Sequence, residues 1–167
     1  TGAGKSRVAV ELAKYYINSV DKSLSLIVPT EKLRDENWKE EYSKWNADYL
    51  WTPTIRLCYA SASKIQNKDF ELAILDEGHN ITELSSEFFS NNKVERKVLL
   101  TATPPNDKGK IELLNQLGIK LVYELTLDQA VRLGFVAPYK ITVITVPLDA
   151  TTKNIPGGTK VKPFMTT

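Results

Sequence analysis

Short apolar runs and amphipathic stretches alternate along this chain. "LSLIVPT" is a short apolar run stopped by Pro29, the pattern of a buried strand. "TIRLCYA" and "KVLLTATP" read the same way, the second stopped by Pro104 and Pro105. "FELAILDE" is a strand that turns acidic at its last two residues. Between these runs the period changes. Over residues 7–18, Val8, Leu12, Tyr15 or Tyr16 and Ser19 recur near helical spacing. "EKLRDENWKEEYSKW" predicts a helix with Leu33, Trp38, Tyr42 and Trp45 roughly on one face. "SASKI" is a short helix or turn, and "ITELSSEFF" is a helix. So are "KIELLNQLG", stopped by Gly118, and "TLDQAVRLG", capped by Thr126 and closed by Gly134. "KLVYEL" and the β-branched "YKITVITVPL" read as strands. Strands alternating with helices predict an α/β fold, a mainly parallel sheet sandwiched between two helical layers. The tail after residue 148 loses the alternation and reads as a linker or hairpin.

Composition narrows the chemistry. A chain of 167 residues fits one domain with a real core. One cysteine and one histidine exclude an internal disulfide and a cysteine-rich zinc site. Cys58 sits on an apolar strand and reads as buried and inert. A net charge of +2 is too small to argue for nucleic acid by itself. No apolar run approaches the roughly 20 residues of a membrane helix.

The chain opens "TGAGKSRV". Gly4, Lys5 and Ser6 supply the end of the phosphate-loop pattern G-x-x-x-x-G-K-[ST], with Thr1, Gly2 and Ala3 as its last variable positions. Glycines let backbone N–H groups approach phosphate closely, and the following helix points its positive end at the same place. Lys5 would reach the β- and γ-phosphates of ATP, and the Ser6 hydroxyl would ligate Mg²⁺. A glycine turn with a chance lysine would read alike over so short a match. The helix that follows directly favours the phosphate loop.

"LAILDEGH" offers the other half of a nucleotide site. Asp76 emerges at the carboxyl end of its strand, where open α/β sheets place their ligands. A carboxylate there can hold Mg²⁺, and Glu77 can orient or deprotonate an attacking water. The bland alternative is a polar turn with Asp76 capping the next helix. The combination with the phosphate loop in one alternating domain favours the nucleotide site.

In order, "TGAGKS", "IVPTEKLRDENWKEEYSKW", "LDEGH" and "TATP" resemble the first, RecA-like motor domain of superfamily 2 helicases and translocases. The resemblance covers nearly the whole chain and is strongest to the DEAH-like branch of phage and bacterial DNA helicases and type III restriction motors. It implies a phosphate loop at Gly2, Ala3, Gly4, Lys5 and Ser6, and a DExH set at Asp76, Glu77 and His79. It implies nucleic-acid backbone contacts at Pro29, Thr30, Ser61 and Ser63. Thr101 and Thr103 would couple ATP hydrolysis to strand movement. Gly78 stands where that branch has alanine, and both being small, little loss of packing is expected.

The resemblance also implies ATP and Mg²⁺ as cofactors and nucleic acid as partner, DNA before RNA, in the cytoplasm of a bacterial or phage-infected cell. Residues 1–138 would be the ATP-binding domain without its first strand. Residues 139–167 would lead to a second motor domain of the same parent chain, absent here. On that expectation the chain is a fragment that binds ATP weakly and hydrolyses it negligibly alone. Two other readings stand beside it: a phosphate-loop ATPase of a phage packaging motor, and a non-catalytic piece of a larger assembly. Trp38, Tyr42 and Trp45 read as core against the sheet rather than a base-stacking platform, and the lysines of "KNIPGGTKVK" as a solvated linker.

Overall fold

The computed structural model describes residues 4–18 and 23–143. The chain separates into two units, Thr1–Val136 and Ala137–Thr167. In the second, residues 137–143 are described and hold neither helix nor strand.

The first unit runs α1 (Lys5–Tyr16), β1 (Leu24–Val28), α2 (Trp38–Lys44), α3 (Asp48–Trp51), β2 (Ile55–Cys58), α4 (Tyr59–Ala62), β3 (Asp69–Leu75), α5 (Glu83–Asn91), β4 (Lys93–Leu99), α6 (Lys108–Gln116) and α7 (Leu127–Arg132). The strands form a four-stranded sheet in the order β2-β1-β3-β4. All three pairings are parallel, with Leu26 opposite Arg56 and Ile74, and Ile74 opposite Val98. This is the α/β architecture that the alternation predicts.

Both faces of the sheet are covered, which is why its central strands are mostly apolar. Leu24, Leu26 and Val28 of β1 and Leu72 and Ile74 of β3 pack with Ala9, Val10 and Ala13 of α1 and Trp38 and Tyr42 of α2. The alternate residues Ile27, Ala73 and Leu75 pack on the other face with Phe88 of α5, and at its margin with Leu113 of α6 and Leu117 just after it. Each fully buried leucine or isoleucine stabilises the fold by about 1.5–3 kcal/mol. Ser25 interrupts β1 with a buried hydroxyl that has no hydrogen-bond partner among the described residues.

Four expectations need correction. Leu12 and Tyr16 pack partly buried against the core as expected, but the fully buried face of α1 is Ala9, Val10 and Ala13, with Ile17 just beyond it, whereas Val8 and Tyr15 are 54% and 73% exposed. Small alanines bring the helix close to the sheet, and periodicity of large residues alone misses that. The helix after β1 is not uniform: Leu33–Asn37 is a π-helical turn, and Trp45 lies just past the end of α2. Trp38 and Tyr42 are buried, as core residues should be, with Leu33 and Trp45 partly so. Residues 120–125 form no strand, and Leu121, Val122 and Tyr123 are 73%, 93% and 75% exposed. Apolar and aromatic residues favour a strand only where a neighbouring strand supplies bonds and packing. The strand expected over 139–148 falls partly outside the described residues, and 139–143 are not strand.

Helix starts follow local chemistry. Thr82 and Thr126 form capping boxes with Ser85 and Gln129, and Asp107 caps α6 through Lys110 N–H. Among the described residues no helix is long and apolar enough to cross a membrane.

Candidate active site at the carboxyl edge of the sheet

Because every strand is parallel, all four carboxyl ends open onto one edge. Pro29 and Thr30 follow β1 there, Ser61 and Ser63 follow β2, Asp76 to His79 follow β3, and Thr101 and Thr103 follow β4. The first turn of α1 reaches the same edge, since Lys5 Nζ lies 3.9 Å from Glu77 Oε1. Gly4 starts that helix at φ 81°, a left-handed conformation that glycine adopts without strain. Ser6 is half-buried beside Lys5 in the first turn. Gly2 and Ala3 lie outside the described residues.

Asp76 is the buried centre of the edge, 9% exposed. Its Oδ2 accepts a hydrogen bond from Trp38 Nε1 at 2.9 Å, and its Oδ1 accepts one from Glu77 N–H at 3.0 Å. Tyr59 Oη donates to the Asp76 carbonyl at 3.0 Å. Burial raises the acid's pKa above the usual carboxylate range, and the Trp38 and Glu77 bonds oppose that rise. Burial likewise pushes the Tyr59 phenol up.

Glu77 has φ 48° and ψ 51°, a left-handed conformation that costs a non-glycine residue about 1–2 kcal/mol. The turn is pinned because Asn80 N–H and Asn80 Nδ2 both donate to the Glu77 carbonyl at 2.9 Å. The strained backbone turns the Glu77 carboxylate between Lys5 and His79, whose Nδ1 is 3.5 Å from Glu77 Oε2. Gly78 follows in a buried, tight place, its N–H donating to the Leu100 carbonyl at 2.9 Å. A Cβ there would sit 2.1 Å from Leu99 Cγ. The expectation that glycine and alanine are near-equivalent here is therefore wrong: the Leu99 side chain fills the place of the methyl.

His79 bridges to the end of β4. Its Nδ1 lies 3.0 Å from Thr101 Oγ1 and 3.2 Å from Thr103 Oγ1. Thr101 Oγ1 donates to the Thr103 carbonyl and accepts from Thr103 N–H, which folds the two threonines into one turn. Asn80 Nδ2 lies 3.3 Å from His79 Nε2, and its bond to the Glu77 carbonyl fixes it as the amide's donor end. Nε2 is then the acceptor and Nδ1 carries the proton toward the threonines. Lys110 of α6 donates to the His79 carbonyl.

The β1–β2 side of the edge differs. Thr30 Oγ1 accepts from Leu33 N–H at 3.4 Å, and Ser61 Oγ donates to the Cys58 carbonyl at 3.1 Å. The Ser63 carbonyl accepts from Asn91 Nδ2 at 3.3 Å. These residues share the edge with Asp76, but none of these bonds reaches Lys5, Glu77 or His79.

The donor set suits Mg²⁺ and not a caged metal. Among the described residues no cluster of three or more histidine, cysteine, aspartate or glutamate side chains can hold an ion by itself. Mg²⁺ uses one or two protein oxygens plus phosphate and water, and the Asp76 carboxylate and the Ser6 hydroxyl are oxygens of that kind. Sequence reasoning missed Trp38, Asn80, Tyr59 and Leu99 as parts of the site. A buried indole N–H must find an acceptor, but nothing local to Trp38 says that it is Asp76.

No protein-family profile matches the chain. A curated relative, the DNA 3'-5' translocase XPB2 of Sulfurisphaera tokodaii, is 28% identical over 165 residues, an alignment covering 89% of this chain and 35% of the relative. The chain thus spans about a third of the length of that relative. A solved structure, the Hef helicase domain of Pyrococcus furiosus, superposes with a TM-score of 0.56 at 20% identity, over 72% of this chain and 32% of that one. The chain shares the α/β fold of that helicase domain.

Proposed function

We propose that this chain is the ATP-binding motor domain of a DNA helicase or translocase. The observation that carries the reading is the continuous set of contacts from Lys5 through Glu77 and His79 to Thr101 and Thr103. It joins a helix N-terminus suited to phosphate, a carboxylate suited to water, and the exit of the next strand. The similarity to a DNA translocase and the shared helicase-domain fold support the same reading.

Each residue then has a task. The first turn of α1 presents backbone N–H groups, and Lys5 presents its ammonium, to the nucleotide phosphates. At 3.9 Å the Lys5–Glu77 pair is loose, so phosphate competes for the lysine and leaves Glu77 free to take a water proton. Ser6 and Asp76 would hold Mg²⁺, which neutralises charge on the phosphates when bound. His79 and the two threonines relay the state of this site to the β4 end. Pro29, Thr30, Ser61 and Ser63 would meet the nucleic-acid backbone along the other half of the edge.

The test is ATP hydrolysis by the full-length protein with and without DNA. The reading predicts DNA-stimulated hydrolysis that Lys5→Ala abolishes by weakening ATP binding. DNA-independent hydrolysis that survives Lys5→Ala would contradict it.

A further inference from the structure

Resting on that reading, we infer that Trp38 is a positioning residue for the Asp76 carboxylate, holding it by a buried indole hydrogen bond in the orientation that metal and nucleotide require. A carboxylate rotates easily about its last torsion, so something must fix its plane. Here two donors do so, one to each oxygen: Glu77 N–H at 3.0 Å and Trp38 Nε1 at 2.9 Å. The first comes from the next residue and travels with Asp76. The second comes from a different element and anchors the carboxylate to the body of the domain.

Trp38 is itself tightly placed. It is 2% exposed, and its ring packs 6.1 Å from that of Tyr42. Its backbone N–H donates to the Leu33 carbonyl and closes the π-helical turn Leu33–Asn37. That turn spans one residue more than an α-helical one, so every later residue is shifted round the helix by one position. Such turns are frequent at functional sites, and this one delivers the indole N–H to Oδ2. Any buried indole N–H needs an acceptor, and what ties Trp38 to the site is that its acceptor is the Asp76 carboxylate. The bond to a buried carboxylate separates the two roles, because it can be removed while the ring is kept.

The experiment uses the full-length protein with Trp38→Phe, with 3-benzothienylalanine at position 38, which replaces N–H by sulfur at nearly constant shape, and with Trp45→Phe as control. Trp45 lies just past α2, and its indole N–H bonds Glu41 instead. Mn²⁺ binding in saturating ADP is read by electron paramagnetic resonance, and folding by circular dichroism. Losing an outer partner of a metal ligand typically costs about 10–100-fold in metal affinity or activity. Both position-38 variants should therefore bind Mn²⁺ about tenfold more weakly, with metal-free ADP affinity unchanged. In ATPase assays the Mg²⁺ requirement should rise while the rate at saturating Mg²⁺ changes little. Trp45→Phe should behave as the unaltered protein. Unchanged Mn²⁺ affinity in either folded position-38 variant would overturn the inference. If Trp38→Phe does not fold, the benzothienyl variant decides. No Mn²⁺–ADP binding by the unaltered protein would instead overturn the proposed function, and this inference with it.

Discussion

The two halves of the sheet's carboxyl edge use polar residues differently. After β3 and β4, side chains meet one another across elements: Trp38 bonds Asp76, His79 bonds Thr101 and Thr103, and Lys5 forms a looser ion pair with Glu77. After β1 and β2, Thr30 and Ser61 bond backbone groups of their own turns. A polar network between elements is rigid and fails as a unit, whereas a turn-capping hydroxyl is worth about 1 kcal/mol and little else. The strained Glu77 backbone falls in the networked half, where surrounding bonds can hold it. We take that half for the nucleotide and the other for a contact surface.

The largest test of this division is Glu77→Gln against Ser61→Ala in the full-length protein. The amide keeps the shape of Glu77 and loses the base, so kcat for ATP should fall by about 10²–10⁴ with ATP binding retained. Ser61→Ala should leave kcat within about twofold, since its hydroxyl serves a turn. Steady-state ATPase and nucleotide-binding assays compare them, and equal losses would erase the distinction between the halves. Next comes Thr101→Ala with Thr103→Ala. Much of the ATPase should remain while DNA unwinding or translocation falls. Parallel loss of both would reduce the His79 link to a folding role.

A third test addresses packing beneath the networked half. Gly78 is not in the left-handed region, so the cost of Gly78→Ala is steric, against Leu99 Cγ at 2.1 Å. Overpacking of this kind costs about 1–3 kcal/mol. Urea denaturation should show that loss, and adding Leu99→Ala should cost less than the sum of the two single changes. Strict additivity would mean that the contact is not what excludes the methyl.

The smallest effect is a pH dependence. Burial raises the Asp76 pKa above its unfolded value. The folded state therefore binds more protons than the unfolded one between those two values. Stability falls as pH rises through that window, and the penalty is complete above the folded pKa. Without metal or nucleotide, the stability of Asp76→Asn relative to the unaltered protein should rise across the same window and then level off. A difference that stays flat from pH 3 to pH 8, roughly the range that brackets a raised carboxylate, would contradict the burial account.

The layout of the edge was legible in the sequence for a simple reason. Apolar runs ended by Pro29 or by Asp76 and Glu77 announce buried strands, and parallel strands bring such ends together. The buried face of α1 was not legible, because Ala9 and Ala13 are too small to mark a stripe. Nor was the π-helical turn, which changes register without changing composition. The pairs Trp38–Asp76 and Gly78–Leu99 join residues far apart in sequence, so only the folded packing reveals them. The segment 120–125 erred in the opposite direction: Leu121, Val122 and Tyr123 have the composition of a strand, but no strand in the described residues pairs with it.

Hydrogen–deuterium exchange of the full-length protein with a non-hydrolysable Mg²⁺–ATP analogue tests the central claim most directly. Bound nucleotide should protect backbone amides in the first turn of α1, from Gly78 to Asn80 and around Thr101, and leave residues 59–63 unchanged. Protection confined to residues 29–34 and 59–63, or none at saturating analogue, would contradict the assignment of the nucleotide to the β3–β4 half.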